Sequence, residues 1–266
     1  MTMTDASSST APDFATVGSG YAAYSHGGRG HLRHDITARR VLAEIGGRRA
    51  RILDVGCGDG EMVLRLAAAG HHVSGVEKSP GMLEAATARI AAVPEIAERV
   101  TLSEGDIYSL PFDDASFDTV ICHGVVMYLA DAVAPIAHLA RLVADGGILS
   151  VLTKNRLAVG VREALSGDYA SARAQIETGQ AASDGNLGIT TRGDAPDHLD
   201  DLARANGLTP LPWQGVRIFH DHRTDWKPTE EEYQAALETE WVASSRSPYR
   251  ELGRLVHAVA RREATA

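Results

Sequence analysis

The sequence predicts an α/β fold, a mostly parallel sheet with helices on both faces. Three observations predict it. Short β-prone runs alternate with helix-forming runs of about ten residues between Arg51 and Thr153, the pattern of βαβ units. A glycine-rich bend, Gly56-Cys57-Gly58-Asp59-Gly60, directly follows the first of those runs. Apolar residues make up 44% of the chain and aromatics only 5%, so the core rests on Ala, Val, Leu and Ile, which suits a sheet clothed in helices.

Residues 1–12 are rich in Ser, Thr and Ala and read as a disordered tail, leaving 13–266 as a single domain. The first strand is Arg51–Val55, and a helix over 61–69 follows the bend. A second strand spans 73–77. The next helix spans 80–92, with Ser79 as N-cap and Pro80 at the first helical position, where its fixed φ and missing N–H cost nothing. Strands over 100–104 and 117–123, a helix over 132–143 and a strand over 147–153 complete the alternation. Beyond it, 155–188 is mostly helix-forming, a helix over 194–206 stops at Gly207, and 215–220 reads as a strand. An acidic helix over 229–243 is capped by Thr229, and 255–260 is the last strand.

The bend carries the chemistry. Glycines let a chain turn sharply and approach a ligand with no Cβ in the way. This bend sits at the carboxyl end of a parallel strand, where doubly wound sheets bind ligands. Glu77 ends the second strand, 23 residues after Asp54. A carboxylate there can accept hydrogen bonds from both ribose hydroxyls of an adenosine cofactor. A nicotinamide dinucleotide is disfavoured: its fingerprint is G-x-G-x-x-G, whereas this loop reads G-x-G-x-G, and Asp54 and Asp59 would repel a diphosphate. A cofactor with an amino-acid tail tolerates those carboxylates and can use one for its ammonium group.

The formal net charge of −9 excludes the global basic field of a general nucleic-acid binder. The two cysteines, Cys57 and Cys122, build neither a disulfide framework nor a four-cysteine zinc site, and such low usage fits a reducing cytoplasm. No apolar run is long enough to span a membrane. The eleven histidines place no third ligand near His71-His72, so no metal is expected.

The run Ile52-Leu53-Asp54-Val55-Gly56-Cys57-Gly58-Asp59-Gly60 resembles motif I of class I methyltransferases dependent on S-adenosylmethionine (SAM). Glu77 matches the acidic residue after their second strand, with Lys78 beside it. Gly105-Asp106-Ile107 matches the segment whose acidic side chain meets the adenine amino group. The stretch 117–123 matches their fourth strand, and Leu142-Val143-Ala144-Asp145-Gly146-Gly147 is similar to their turn into strand five. The resemblance implies a Rossmann-like, seven-stranded sheet with a small helical cap. It implies a cofactor half over about 40–153, a segment 13–40 closing over SAM, and acceptor-side elements over about 154–195 and 221–250.

Outside that core, Gly30-His31-Leu32-Arg33, the stretch 215–221 and the stretch 248–261 are similar to bacterial tRNA 5-carboxymethoxyuridine methyltransferases, which esterify a wobble-uridine carboxylate. By that likeness Arg33 binds the carboxylate of SAM and His123 lies beside the sulfonium-methyl region. One departure bears on the substrate: residues 177–186 contain no basic side chain, although phosphate contacts supply much of nucleic-acid affinity.

The expected cofactor-binding residues are therefore Arg33, Asp54, Gly56, Gly58, Gly60, Glu77, Lys78, Asp106, Ile107 and His123. His123, Arg217 and His220 are the candidates for catalysis. Arg217 alternates with apolar Val216 and Ile218 and suits an acidic acceptor, while either histidine could take a proton from an amine or hydroxyl acceptor. An ionised carboxylate acceptor needs no base. The expected reaction is methyl transfer from SAM, with S-adenosylhomocysteine (SAH) as product, to a small polar acceptor that is carboxylate-bearing or nucleoside-like. A tRNA carboxyl methyltransferase is the alternative. A non-catalytic SAM-binding module is the alternative of another class.

Overall fold

A computed structural model of the 266-residue chain describes residues 27–179 and 191–264. The expected tail over 1–12, residues 13–26 of the cofactor-closing segment and residues 180–190 lie outside the described residues. The helices in chain order are α1 (Gly28–Ile45), α2 (Glu61–Ala68), α3 (Pro80–Ala91), α4 (Pro94–Ala97), α5 (Val133–Arg141), α6 (Val161–Leu165), α7 (Tyr169–Thr178), α8 (Pro196–Ala205) and α9 (Glu230–Ser244). The strands are β1 (Arg51–Val55), β2 (His72–Glu77), β3 (Val100–Glu104), β4 (Phe117–His123), β5 (Val143–Lys154), β6 (Thr209–Pro210), β7 (Gln214–Val216) and β8 (Leu255–Arg261).

They form one eight-stranded sheet in the order β3-β2-β1-β4-β5-β8-β6, with β7 also paired to β8. The first five strands in that order are parallel, and β8 runs antiparallel to β5. The sheet thus has eight strands where seven are expected. Two short pieces, β6 and β7, share the edge beside β8, and Pro210 and Pro212, which have no N–H to give a ladder, lie at the break between them.

Alternation along each strand divides the core. Leu53 and Val55 of β1, with Val120 and Cys122 of β4, join the layer under α5 and α8. Ile52 and Ile121 point the other way, against Val41 and Ile45 of α1 and Leu66 of α2. α1 ends at Gly46, whose left-handed φ of 69° lets its N–H return to the Leu42 carbonyl. The order reverses between β1 and β4, so a crevice opens above their carboxyl ends.

Two expectations need correction beside the strand count. Ser79 is the N-cap of α3, but its hydroxyl makes no capping bond. The strand expected over 215–220 ends at Val216, because Arg217 takes a left-handed φ of 62° and turns the chain away. Thr229 and Glu232 do form a reciprocal capping box on α9.

Candidate functional site

The glycine bend is wound as tightly as its sequence requires. Gly56 has φ of 73°, and a Cβ there would sit 2.2 Å from Cγ2 of Val125, so the loop after β4 closes directly on it. Gly60 has φ of 79° and begins α2. The Gly56 N–H donates to the Val76 carbonyl at 2.7 Å, which ties the bend to β2. Glu77 completes the tie. Its carboxylate accepts from the Gly58 N–H at 2.8 Å and from the Ser79 N–H at 2.9 Å. The residue expected to grip a ribose is therefore fixed by two backbone donors and only 8% exposed.

Asp59, the second carboxylate of the loop, is buried against Arg89 at 2.9 Å, and Arg89 also pairs with Glu61. Asp54 remains beneath the bend. Burial raises its pKa to about 7, the nearby charge of Glu77 adds to the rise, and Arg33 opposes it. Arg33 descends from α1 and is buried; its Nη2 bonds Nε2 of His34 at 2.7 Å, and its Nη1 lies 3.7 Å from where a Cβ on Gly124 would stand. A carboxylate and a guanidinium thus face the same end of β1 and β4. That pair fits the zwitterionic end of an amino acid: an anion for its ammonium and a cation for its carboxylate.

His123 ends β4. Its Nε2 meets Oγ of Ser150 on β5 at 2.8 Å, and the same hydroxyl meets Nε2 of His257 on β8 at 2.7 Å. Burial holds His123 neutral, with its pKa well below the ordinary histidine value; the charges of His257 and Arg33 act in the same direction. His257, fully buried, is lowered to about 3 by burial and by Arg40. No sequence signal marked Ser150, and nothing in the family-like stretch 248–261 singled out His257, since the row exists only through strand register. At the other end of the crevice, Lys78 bridges Asp106 at 2.8 Å. Burial would raise the Asp106 pKa, but Lys78 and the Tyr108 N–H outweigh it and hold it below the usual range. Ile107 is buried beside them in the core layer.

The remaining expected residues stand elsewhere. Arg217 is 3% exposed and pairs with Asp221, on the far side of β8 from the glycine bend. Asp221 is also approached by Arg254 at 3.6 Å and Arg162 at 3.8 Å, and its backbone carbonyl accepts from Arg29 at 2.7 Å. Burial would raise the Asp221 pKa, but these arginines hold it low. His220 stacks on Trp226, with centroids 4.2 Å apart, and its Nδ1 faces Glu240 at 3.2 Å. It lines a surface hollow with Phe219 and Arg223 and does not join His123. Among the described residues no group of three or more His, Cys, Asp or Glu side chains is placed to hold a metal, and no helix is long and apolar enough to cross a membrane.

This sheet order and this crevice, with a glycine bend and an acidic strand end on it, are those of a Rossmann-like fold that can take a nucleoside cofactor. Residues 53–151 match the family described as "Methyltransferase domain". The chain thus carries a methyltransferase domain, and its relatives support a SAM-dependent methyltransferase. It is 27% identical to the tRNA 5-carboxymethoxyuridine methyltransferase of Escherichia coli K12 over 88% of this chain and 89% of that one. Among solved structures it resembles the Burkholderia thailandensis 1,6-didemethyltoxoflavin-N1-methyltransferase, with bound SAH. That likeness has a TM-score of 0.56 at 19% identity, over 98% of this chain and 93% of that one. It also resembles the magnesium protoporphyrin IX methyltransferase of Synechocystis PCC 6803, with bound SAH, at a TM-score of 0.56 and 20% identity over 88% of this chain and 83% of that one.

Proposed function

We propose that this enzyme methylates a small polar acceptor that carries a carboxylate or resembles a nucleoside, with the cofactor laid across the carboxyl ends of β1, β2 and β4. Glu77 holds the ribose, the loop 56–60 gives backbone approach, and Asp106 with Ile107 flanks the adenine. Arg33 and Asp54 take the two charges of the amino-acid end, and His123 borders the reacting methyl. When bound, SAM supplies an electrophilic methyl group for in-line displacement. The chain contributes geometry, holding the acceptor atom about 3 to 3.5 Å from that carbon and excluding water.

The single observation that favours a small acidic acceptor is the buried cationic group beyond β5. Arg29, Arg162, Arg217 and Arg254 outnumber Asp221, the carboxylate they gather around inside the fold, and this excess of positive charge suits one further acid group. A tRNA acceptor is the second reading. The E. coli relative supports it, since the match runs along most of both chains. The net charge of −9 and the absence of basic residues over 177–186 weigh against it.

The test begins with calorimetry of SAH binding. Glu77→Ala removes an acceptor of two backbone donors and the ribose contact, and the expected loss of affinity is about tenfold to hundredfold. SAH formation is then followed with a panel of small carboxylates, with nucleosides and with total tRNA. Turnover with tRNA alone would replace the first reading by the second.

A further inference from the structure

Lys154 is the last residue of β5, one strand over from His123 and two residues past its register partner Leu152. It stands at the carboxyl end of β5, beside the crevice, yet only 4% of it is exposed. Its ammonium makes one hydrogen bond, to the Thr191 hydroxyl at 2.8 Å, and among the described residues no carboxylate comes within ion-pair distance of it. The charges that face it are Arg254 before β8, Arg162 and Glu163 on α6, and Asp221 after β7. Both of those carboxylates are already engaged: Glu163 meets Arg254 at 3.5 Å, and Asp221 is held by the arginines described above. A buried ammonium with one neutral partner is costly, because two of its three donors have left water for nothing.

An anion placed against those donors removes that cost. We propose that Lys154 is the anchor for the acceptor's carboxylate, so that this side chain sets which acceptors the enzyme takes. Arg254 and Arg162 are the other cations whose charge acts on Lys154, and the row from Arg33 through His123 to Lys154 then separates the cofactor's charged end from the acceptor's. The inference rests on the small-acceptor reading above. It also has a pH signature. Burial, and then Arg254, bring Lys154 down to about 8. A bound carboxylate restores the higher value. Affinity for the carboxylate is therefore level below about pH 8 and falls by up to about tenfold per pH unit above it.

The test uses full-length protein saturated with SAH, so that failure of cofactor binding shows first and separately. Acetate is titrated in while the lysine side-chain NMR signals of isotope-labelled protein are followed, with Lys154→Met assigning the Lys154 signal. The expected result is one lysine titrating near 8 whose pKa rises with acetate. Lys154→Met should bind acetate about tenfold or more weakly, with SAH affinity unchanged. Lys154→Gln, which keeps a donor for Thr191, is the second variant and should lose acetate binding equally. A Lys154 signal indifferent to acetate, or acetate binding intact in Lys154→Gln, overturns the proposal. A parallel titration with inorganic phosphate separates the anion classes, and tighter binding of phosphate than of acetate overturns the carboxylate assignment.

Discussion

Asp54 is a residue of the crevice whose chemistry the fold alters strongly. At a pKa of about 7 it is half protonated in neutral solution, because burial and Glu77 oppose its charge while Arg33 supports it. A cofactor ammonium placed nearby favours the ionised form. Binding of SAH near neutral pH should then release a fraction of a proton, and affinity should rise as pH climbs through about 7. Calorimetry in two buffers of different ionisation enthalpy measures that release. Asp54→Asn should abolish it, and an equal release from this variant would refute the assignment. The residues of this end were legible in the sequence to different depths. Glycines 56, 58 and 60 and the strand-end Glu77 stand in a local pattern, and each sits where that pattern puts it. The tie from Glu77 to the Gly58 N–H and the pairing of Asp59 with Arg89 were not legible, since both depend on elements distant in sequence.

At the scale of elements, α1 covers a polar row laid across three strands: His123 on β4, Ser150 on β5 and His257 on β8. One hydroxyl has one hydrogen, so Ser150 donates to one imidazole and accepts from the other. Ser150→Ala removes both partners at once and leaves buried ring nitrogens unsatisfied, an expected loss of about 1–3 kcal/mol in denaturant unfolding. The same row, together with His34 of α1, makes the fold acid-sensitive. His34, His123 and His257 are all held neutral by burial, so the unfolded chain takes up protons first as pH falls below about 6.5. Stability should drop through that window, by up to about 1.4 kcal/mol per pH unit for each such histidine. Asp54 works in the opposite sense between about 4 and 7, one group against three. A stability profile that is flat or rising towards pH 5 would contradict this balance. Strands announced themselves through alternation, but this row did not. Strand order and register bring its members together, and a single chain read linearly shows neither. The strand overrun past Val216 has a similar origin: Val216, Arg217 and Ile218 alternate as a strand would, but the pairing of Arg217 with Asp221 turns the backbone.

On the scale of the whole molecule, the question is what kind of surface meets the acceptor. The chain carries 26 basic against 35 acidic residues, and the cations beyond β5 are gathered inside the fold around Asp221 and Glu163 or buried as Lys154 is. A protein that binds tRNA by its backbone displaces counterions, and its affinity falls steeply with salt in proportion to the phosphates it covers. Buried cations that serve one carboxylate cover few phosphates. Binding of total tRNA should accordingly be weak at about 0.15 M salt, with Kd no tighter than the non-specific range of about 10⁻⁴ to 10⁻⁶ M, and log Kd should vary with log salt at a slope of at most about 2. Filter binding across a salt series in the presence of SAH gives both quantities. SAH binding, if it uses the proposed site between β1 and β4, should vary far less with salt, because the charged groups there, Arg33 and Asp54, are buried. A steep tRNA slope with tight binding would mean that the anticodon arm, and not a free metabolite, presents the carboxylate to this enzyme.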